Sequence, residues 1–237
     1  MRRLSFVPVW ILALSVIAAG TASAQQSFSL SLGGFTPHSL DNRGNDDVLF
    51  KDSAFFATLN RDRGIDISRF NGFTLGGEYL VGLGDRAEAG LGIGIYQRTV
   101  PVVDADFTNA NGSEVFADFK LRIVPLTATV RFLPLGHNAA FQPYIGAGVG
   151  VFMWRYSETG DFVSTNNTII NGNYVGSGSE AGPVVLGGAR IPIGAAAIGG
   201  EIRWQSAKAT LPSDQGFAGS KLDLGGFNYL FTMNFRF

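Results

Sequence analysis

The chain has 237 residues, no cysteine, two histidines, and 18 basic against 19 acidic residues. A charge this close to balance excludes the basic surface that nucleic acid requires, so no nucleic-acid partner is expected. Two histidines and no cysteine also argue against a metal site built on these ligands. No unbroken run of about 18 apolar residues follows Gln25, so no transmembrane helix is expected after it.

The first 24 residues have the three-part layout of a secretory signal peptide. Arg2 and Arg3 give a basic start, an apolar run extends over residues 4–19, and small residues follow. Ala22 and Ala24 form the A-x-A pattern before Gln25, which predicts cleavage after Ala24. The alternative is an N-terminal membrane anchor. The exported chain would then be residues 25–237, without disulfides.

Eight segments after residue 24 alternate large apolar residues with polar or small ones, which is the period of a β-strand. The clearest is the last, in which every second residue from Phe227 to Phe237 is large and apolar. In chain order the segments span residues 27–35, 72–83, 87–98, 126–133, 141–154, 182–193, 197–205 and 227–237.

The connections between these segments alternate in length. Short connections are predicted at residues 84–86, 134–140 and 194–196, and long polar ones at 36–71, 100–112, 157–179 and 208–221. Short turns on one side and long loops on the other are typical of a transmembrane β-barrel. The sequence therefore predicts an all-β fold, an eight-stranded antiparallel up-and-down transmembrane barrel formed by residues 25–237. Ten strands are the alternative, if residues 47–59 form a hairpin.

In one segment the alternation of apolar residues changes from odd-numbered to even-numbered positions. In "VFADFKLRIVPLTATVRF" the apolar residues are odd-numbered up to Ile123 and even-numbered from Leu126 onward. A β-bulge at Val124 and Pro125 would keep both halves facing lipid, and proline suits such a position because it donates no ladder hydrogen bond.

Charged residues occupy the positions predicted to face inward. An eight-stranded barrel has an interior just wide enough for side chains to fill, so opposite charges there should pair. We expect a salt-bridged plug, and a gated polar pore is the alternative. The predicted cluster comprises Glu78, Glu201, Arg203 and Arg190 in the lower half of the barrel, and Glu88, Arg131 and Arg236 near the periplasmic rim.

The C-terminal strand gives the chain a family resemblance. Its alternating residues are Tyr229, Phe231, Met233, Phe235 and Phe237. With this strand and the segment "PYIGAGVGV" at residues 143–151, the chain resembles the small outer-membrane β-barrels of Gram-negative bacteria, of the OmpA, OmpX and OmpW type. The resemblance implies an integral outer-membrane protein, surrounded by outer-membrane lipid, whose last strand is recognised by the barrel-assembly machinery. It implies a monomer without a cofactor.

The sequence favours a structural or surface-interaction role, with a closed lumen and loops 36–71 and 157–179 as the surface for a ligand. The first alternative is a narrow porin or a transporter of small hydrophobic molecules. The second is a lipid-modifying enzyme, which would require a histidine placed beside catalytic partners. Since His38 and His137 are expected to be solvated loop residues, no catalytic residue is assigned and no enzyme is predicted.

Overall fold

The computed structural model describes residues 25–59 and 63–237. The predicted signal peptide, with Ala22 and Ala24, lies outside the described residues. The described elements are β1 Gln26–Pro37, α1 Val48–Asp52, β2 Phe56–Thr58, β3 Gly72–Gly82, β4 Ala87–Thr108, β5 Glu114–Phe132, β6 Gln142–Val163, β7 Ile169–Ile193, β8 Ala196–Gln205, β9 Lys208–Thr210, β10 Lys221–Asp223 and β11 Gly226–Arg236. Two 3₁₀ turns, Leu40–Asn42 and Ile67–Phe70, flank α1. No helix among the described residues is long and apolar enough to cross a membrane.

Eight of the strands form a closed antiparallel ring. Its order is β4-β3-β1-β11-β8-β7-β6-β5, and β5 pairs again with β4. Closure pairs both edges of every ring strand, which a lipid environment requires because it offers no hydrogen bonds to an open edge. The predicted eight-stranded up-and-down barrel is confirmed.

The remaining strands lie outside the ring. Residues 48–52 form α1, which begins where the Asp47 carboxylate accepts hydrogen bonds from the backbone N–H groups of Leu49 and Phe50. β2 pairs with β4 at residues 102–104, and β9 pairs only with β10. The ten-stranded alternative is therefore wrong, because a capped helix interrupts the segment that would have formed the hairpin.

Large apolar side chains cover the outer wall around the whole ring. Each ring strand contributes at least one exposed residue to this belt, such as Leu30, Leu75, Leu91, Val130, Ile145, Val185, Ile202 and Phe231. Their neighbours in the sequence point inward and include buried polar groups such as Ser29 and Glu78. A wall that is apolar outside and polar inside inverts the pattern of a soluble barrel, because the belt faces lipid.

The two ends of the barrel differ. At one end, called the turn end, the connections are short and include residues 83–86, 133–141 and 194–195. At the other, the loop end, β4 and β5 continue to a connection of residues 109–113, and β6 and β7 continue to one of residues 164–168. The predicted loops 100–112 and 157–179 are thus mostly strand, and this part of the prediction is wrong.

The predicted bulge at Val124 and Pro125 is also wrong. β5 keeps one register with β6 through this point, since Ile123 pairs with Trp154, Pro125 with Phe152 and Leu126 with Val151. Without a bulge, the odd-numbered residues of β5 point inward along its length, including the buried Phe119. The sequence changes phase because the surroundings change: lipid lies outside the lower part of β5, and solvent lies outside its upper part.

A large apolar core fills much of the upper interior as a result. Buried side chains from the ring strands, including Phe119, Phe152 and Tyr156, pack there with Leu49 of α1 and Leu222 of β10. The loop end is therefore a cap with its own hydrophobic core, and it stands on a barrel whose lower interior is polar.

Candidate functional site

Four charged side chains meet inside the lower barrel and form the central cluster, which comprises Glu78, Arg131, Glu201 and Arg203. The Arg131 guanidinium donates to Glu78 and lies 3.0 Å from Oε2 of Glu201. Arg203 bridges the same two carboxylates, with Nη2 at 3.0 Å from Glu78 Oε2 and 2.7 Å from Glu201 Oε1. Two positive and two negative groups thus balance in a closed set that spans β3, β5 and β8.

Neutral groups complete the central cluster. The Thr129 hydroxyl donates to Glu78 Oε1 at 2.8 Å, and the Tyr144 hydroxyl donates to Glu201 Oε2 at 3.1 Å. The Arg131 guanidinium also lies over the Tyr144 ring, 4.9 Å from its centroid. A buried charge set adds little net stability when it is complete, but removing one member leaves an uncompensated charge at high cost.

A second set lies at the turn end and forms the rim cluster, which comprises Glu88, His137, Gln142, Arg190 and Arg236. Arg190 donates to both carboxylate oxygens of Glu88, and its Nε donates to Gln142 Oε1 at 2.9 Å. Arg236 donates to the same Gln142 oxygen at 2.8 Å. All seven predicted interior charges therefore belong to one of two clusters.

The layering differs from the expectation for two arginines. Arg131 was expected at the rim, but its side chain reaches away from the turn end to Glu78 and Glu201. The sequence predicts Arg190 above the rim, beside Glu78 and Glu201. The structure instead places it opposite Gln142, where it pairs with Glu88 at the rim. Strand register fixes only the height of the backbone, and a long arginine side chain can reach another layer.

His137 is a rim-cluster residue that sequence reasoning assigned to solvent. Its Nε2 lies 2.9 Å from Glu88 Oε1 and its Nδ1 lies 2.7 Å from the backbone oxygen of Asp85. His38 is also paired, with Nδ1 at 3.1 Å from an oxygen of Asp223. The expectation of two solvated histidines is therefore wrong. The local sequence does not indicate these contacts, because each histidine bonds to a residue at least 49 positions away.

The histidines and acidic residues form neither a catalytic nor a metal-binding arrangement among the described residues. Within the described residues, neither histidine bonds to a serine hydroxyl. No group of three or more His, Cys, Asp or Glu side chains in that part of the chain could hold a metal ion.

A small polar cavity adjoins the central cluster. It has a volume of about 40 Å³, and its walls include Thr127, Thr232, Glu78 and Arg203. The hydroxyls of Thr127 and Thr232 are buried without a protein hydrogen-bond partner among the described residues. Such a space holds two or three water molecules at about 15 Å³ each and fits those hydroxyls.

Two inward glycines allow the strands and the central cluster to approach each other. A Cβ added at Gly90 would lie 2.4 Å from Glu78 Oε1, and one at Gly148 would lie 2.0 Å from the backbone oxygen of Ala128. Close approach to a neighbouring strand is one reason for glycine within a β-sheet.

Comparison with known proteins gives the fold class. No protein-family model matches the chain, and no curated protein matches it. The outer membrane protein OprG from Pseudomonas aeruginosa superposes with a TM-score of 0.51 at 16% identity, over 90% of this chain and 96% of that one. Neisserial surface protein A (NspA) gives a TM-score of 0.45 at 11% identity, over 90% of this chain and 97% of that one.

The fold shared with OprG and the apolar belt lead to the same conclusion. The chain has the fold of the small eight-stranded outer-membrane β-barrels of Gram-negative bacteria, as its sequence predicts. The exposed belt is the lipid-facing surface of this barrel. In outer-membrane barrels the short turns are periplasmic and the long connections are extracellular.

Proposed function

We propose that the chain is a non-conducting outer-membrane barrel that acts through its loop end, as a structural or surface-interaction protein without catalysis. One observation carries the proposal: charged side chains pair across the lower interior while apolar side chains fill the upper interior. The fold leaves open whether such a barrel conducts, so the proposal rests on the contacts of these side chains.

The lower interior supports closure through charge pairing. The side chains of Arg131 and Glu201 are 2% and 1% exposed, so water does not separate them. An ion passing this layer would have to break contacts between buried charges and leave them unpaired, which costs several kcal/mol. The rim cluster places a second paired layer below it, with Arg190 and Glu88 equally enclosed.

The upper interior supports closure through apolar packing. The side chains of Phe70, Phe152 and Leu49 are fully buried there. An ion is poorly solvated in such a core, and its close-packed side chains obstruct a water path. The same packing disfavours the alternative of a hydrophobic-molecule transporter, which requires an apolar cavity inside the barrel where these side chains lie.

The last strand supports the proposed recognition by the barrel-assembly machinery. Tyr229, Phe231, Met233 and Phe235 point outward from β11 and are exposed, as is Phe237, which follows the strand. In the closed ring β11 pairs with both β1 and β8, so its edges are available only before closure. An unpaired alternating strand can add to the sheet edge of a partner. We propose that this recognition precedes closure and that the finished barrel is monomeric.

Planar-bilayer conductance of the refolded chain tests the closed lumen. We expect no steady conductance from the unaltered protein. The double variant Glu201→Gln/Arg203→Gln weakens the central cluster and should leak. The matched control is Glu114→Gln/Arg122→Gln, which makes the same chemical changes on the exposed outer face of β5 and should stay silent.

Steady, ion-selective conductance of the unaltered protein would refute the closed lumen and make transport the leading function. Equal leak from both double variants would show that general destabilisation, rather than the central cluster, opens the barrel. Silence of all three proteins would show that the apolar upper interior is a sufficient seal.

A further inference from the structure

A cavity of about 410 Å³ opens at the loop end, separate from the two charge clusters. Three of the four loop-end connections and the upper part of β4 contribute to its walls, through residues such as Asp52, Thr165, Gly216 and Asp104. This volume is within the range of small-molecule sites, which is about 300 to 1,000 Å³. A cavity built jointly by four segments is a pre-formed pocket.

Two carboxylates lie on the wall of this cavity. Asp52 at the end of α1 and Glu158 on β6 are 2% and 3% exposed. Asp52 Oδ2, Glu158 Oε1 and the neighbouring Tyr156 hydroxyl are all buried, and the side-chain contacts of the two carboxyls are with each other and with Tyr156. Two carboxyls enclosed together without a cationic partner are costly to ionise, so a bound cation would stabilise them.

The pair lies outside the membrane-crossing part of the barrel. Met153 is an exposed apolar residue of β6, and the next outward residue, Arg155, is charged and exposed. Burial, followed by repulsion from Glu158, raises the pKa of the Asp52 carboxyl well above its usual range. Burial raises the pKa of Glu158 to about 7. The empty site therefore retains a proton near neutral pH.

No nearby cation in the described chain neutralises the pair. Arg43 lies close to Asp47, and Arg63 donates to Asp106 at the outer edge of the cavity. Asp104 already accepts hydrogen bonds from the backbone N–H groups of residues 106 and 107. None of the described residues on the cavity wall is a lysine or an arginine.

The rest of the wall is aromatic. Phe56, Phe162 and Tyr174 form an edge-to-face series, with ring centroids 5.9 Å and 4.9 Å apart. Phe55 and Phe107 are exposed at the same cavity. Aromatic rings bind apolar groups and also attract cations through their π faces.

We propose that this cavity binds a small organic molecule that carries a primary ammonium group and an aromatic or apolar tail. The ammonium group has three N–H donors, which can donate to the carboxylates of Asp52 and Glu158 on the cavity wall. Its charge offsets the negative charge of this pair, and the tail packs on the phenylalanines. A divalent metal ion fits less well, since Ca²⁺ takes six to eight oxygen ligands and the cavity offers two enclosed carboxylates.

Calorimetry on the mature chain in nanodiscs of zwitterionic lipid tests this site, with 2-phenylethylamine as the probe at pH 8. We expect saturable binding of the amine. Its neutral analogue 2-phenylethanol should bind at least about tenfold more weakly, because it has no charge to pair with the carboxylates. The N-trimethyl analogue should also bind more weakly, because it has no N–H to donate.

The double variant Asp52→Asn/Glu158→Gln should weaken amine binding at least about tenfold. It removes the repulsion between the carboxylates, so it should fold, which the heat-dependent mobility of a barrel on a gel can check. The control Asp118→Asn/Glu114→Gln changes two exposed carboxylates of β5 in the same way and should bind as the unaltered protein does.

Three results would overturn the inference. They are no detectable amine binding up to about 10 mM, equal affinity for the amine and the alcohol, or equal amine affinity of the Asp52→Asn/Glu158→Gln variant and the unaltered protein. The amine site goes beyond the proposed function, and either proposal can be refuted while the other stands. A conducting barrel could still bind the amine, and a silent barrel could fail to bind it.

Discussion

Arg131→Met removes the guanidinium that joins the two carboxylates of the central cluster. Methionine retains most of the apolar stem, so the change acts mainly on charge rather than on packing. In the unaltered protein Arg131 and Arg203 balance Glu78 and Glu201. In the variant one arginine serves both carboxylates, and the buried set carries one net negative charge.

The contacts that remain in the Arg131→Met variant determine how far the free energy of unfolding falls. Glu78 keeps Arg203 at 3.0 Å and Thr129 at 2.8 Å. Glu201 keeps Arg203 at 2.7 Å and the Tyr144 hydroxyl at 3.1 Å. Breaking a buried pair costs about 3 to 5 kcal/mol. We expect the free energy of unfolding to fall by about 3 kcal/mol, the lower end, because each carboxylate keeps two partners.

Urea unfolding in lipid vesicles, followed by tryptophan fluorescence and gel mobility, measures the change. Adding Glu78→Gln to Arg131→Met restores neutrality and should recover about 2 kcal/mol of the loss. Arg122→Met makes the same substitution on the exposed face of β5 and should cost less than about 0.5 kcal/mol. The reasoning is refuted if Arg131→Met costs less than about 1 kcal/mol, or if the double variant is less stable than the single one.

Three further outcomes can be measured. Gly148→Ala should cost about 1 to 3 kcal/mol in urea unfolding, because its Cβ would meet Ala128 oxygen at 2.0 Å, while Gly187→Ala, with 3.8 Å of room, should be neutral. Phe237→Ala should slow assembly in cells but leave refolding in detergent unchanged; equal slowing in both would argue against a recognition signal. Because the pKa of Glu158 is raised from 4.5 to about 7, its proton stabilises the cap below pH 4.5, and this stability is lost as the pH rises through about 7. Proteolysis near α1 should therefore increase between pH 5.5 and 8, and the double variant Asp52→Asn/Glu158→Gln, which removes both carboxyls with raised pKa values, should remove that dependence.

The ring could be predicted from the sequence because lipid imposes a strict rule on it. Every second residue of a membrane-crossing strand must be apolar, and the segments that contain Leu75, Leu91 and Phe231 follow this rule. The seven interior charges could be predicted for the same reason, since they occupy the opposite parity. Their pairing into two clusters depends on side-chain reach, which the parity of a residue does not encode.

The loop end could not be predicted in the same way because its contacts join distant segments. Asp52 and Glu158 are 106 positions apart in the sequence, and nothing in either local pattern relates them. The same holds for His38 and Asp223, which are 185 positions apart. Local patterns describe what surrounds a strand, and they do not specify which loop packs on which.

The change of apolar parity in β5 marks a real boundary in the molecule, although the predicted bulge is absent. A bulge and a change of solvent produce the same sequence pattern, because each exchanges the parity of the apolar residues. The unbroken register from Ile123 to Leu126 selects the change of solvent. The outer edge of the lipid belt therefore lies near Pro125 on this strand. Above it, the exposed Lys120 and Arg122 face water while Phe119 and Leu121 form the core of the cap. A barrel that builds a hydrophobic core above the membrane can form a pocket there, outside the narrow interior that its charges fill.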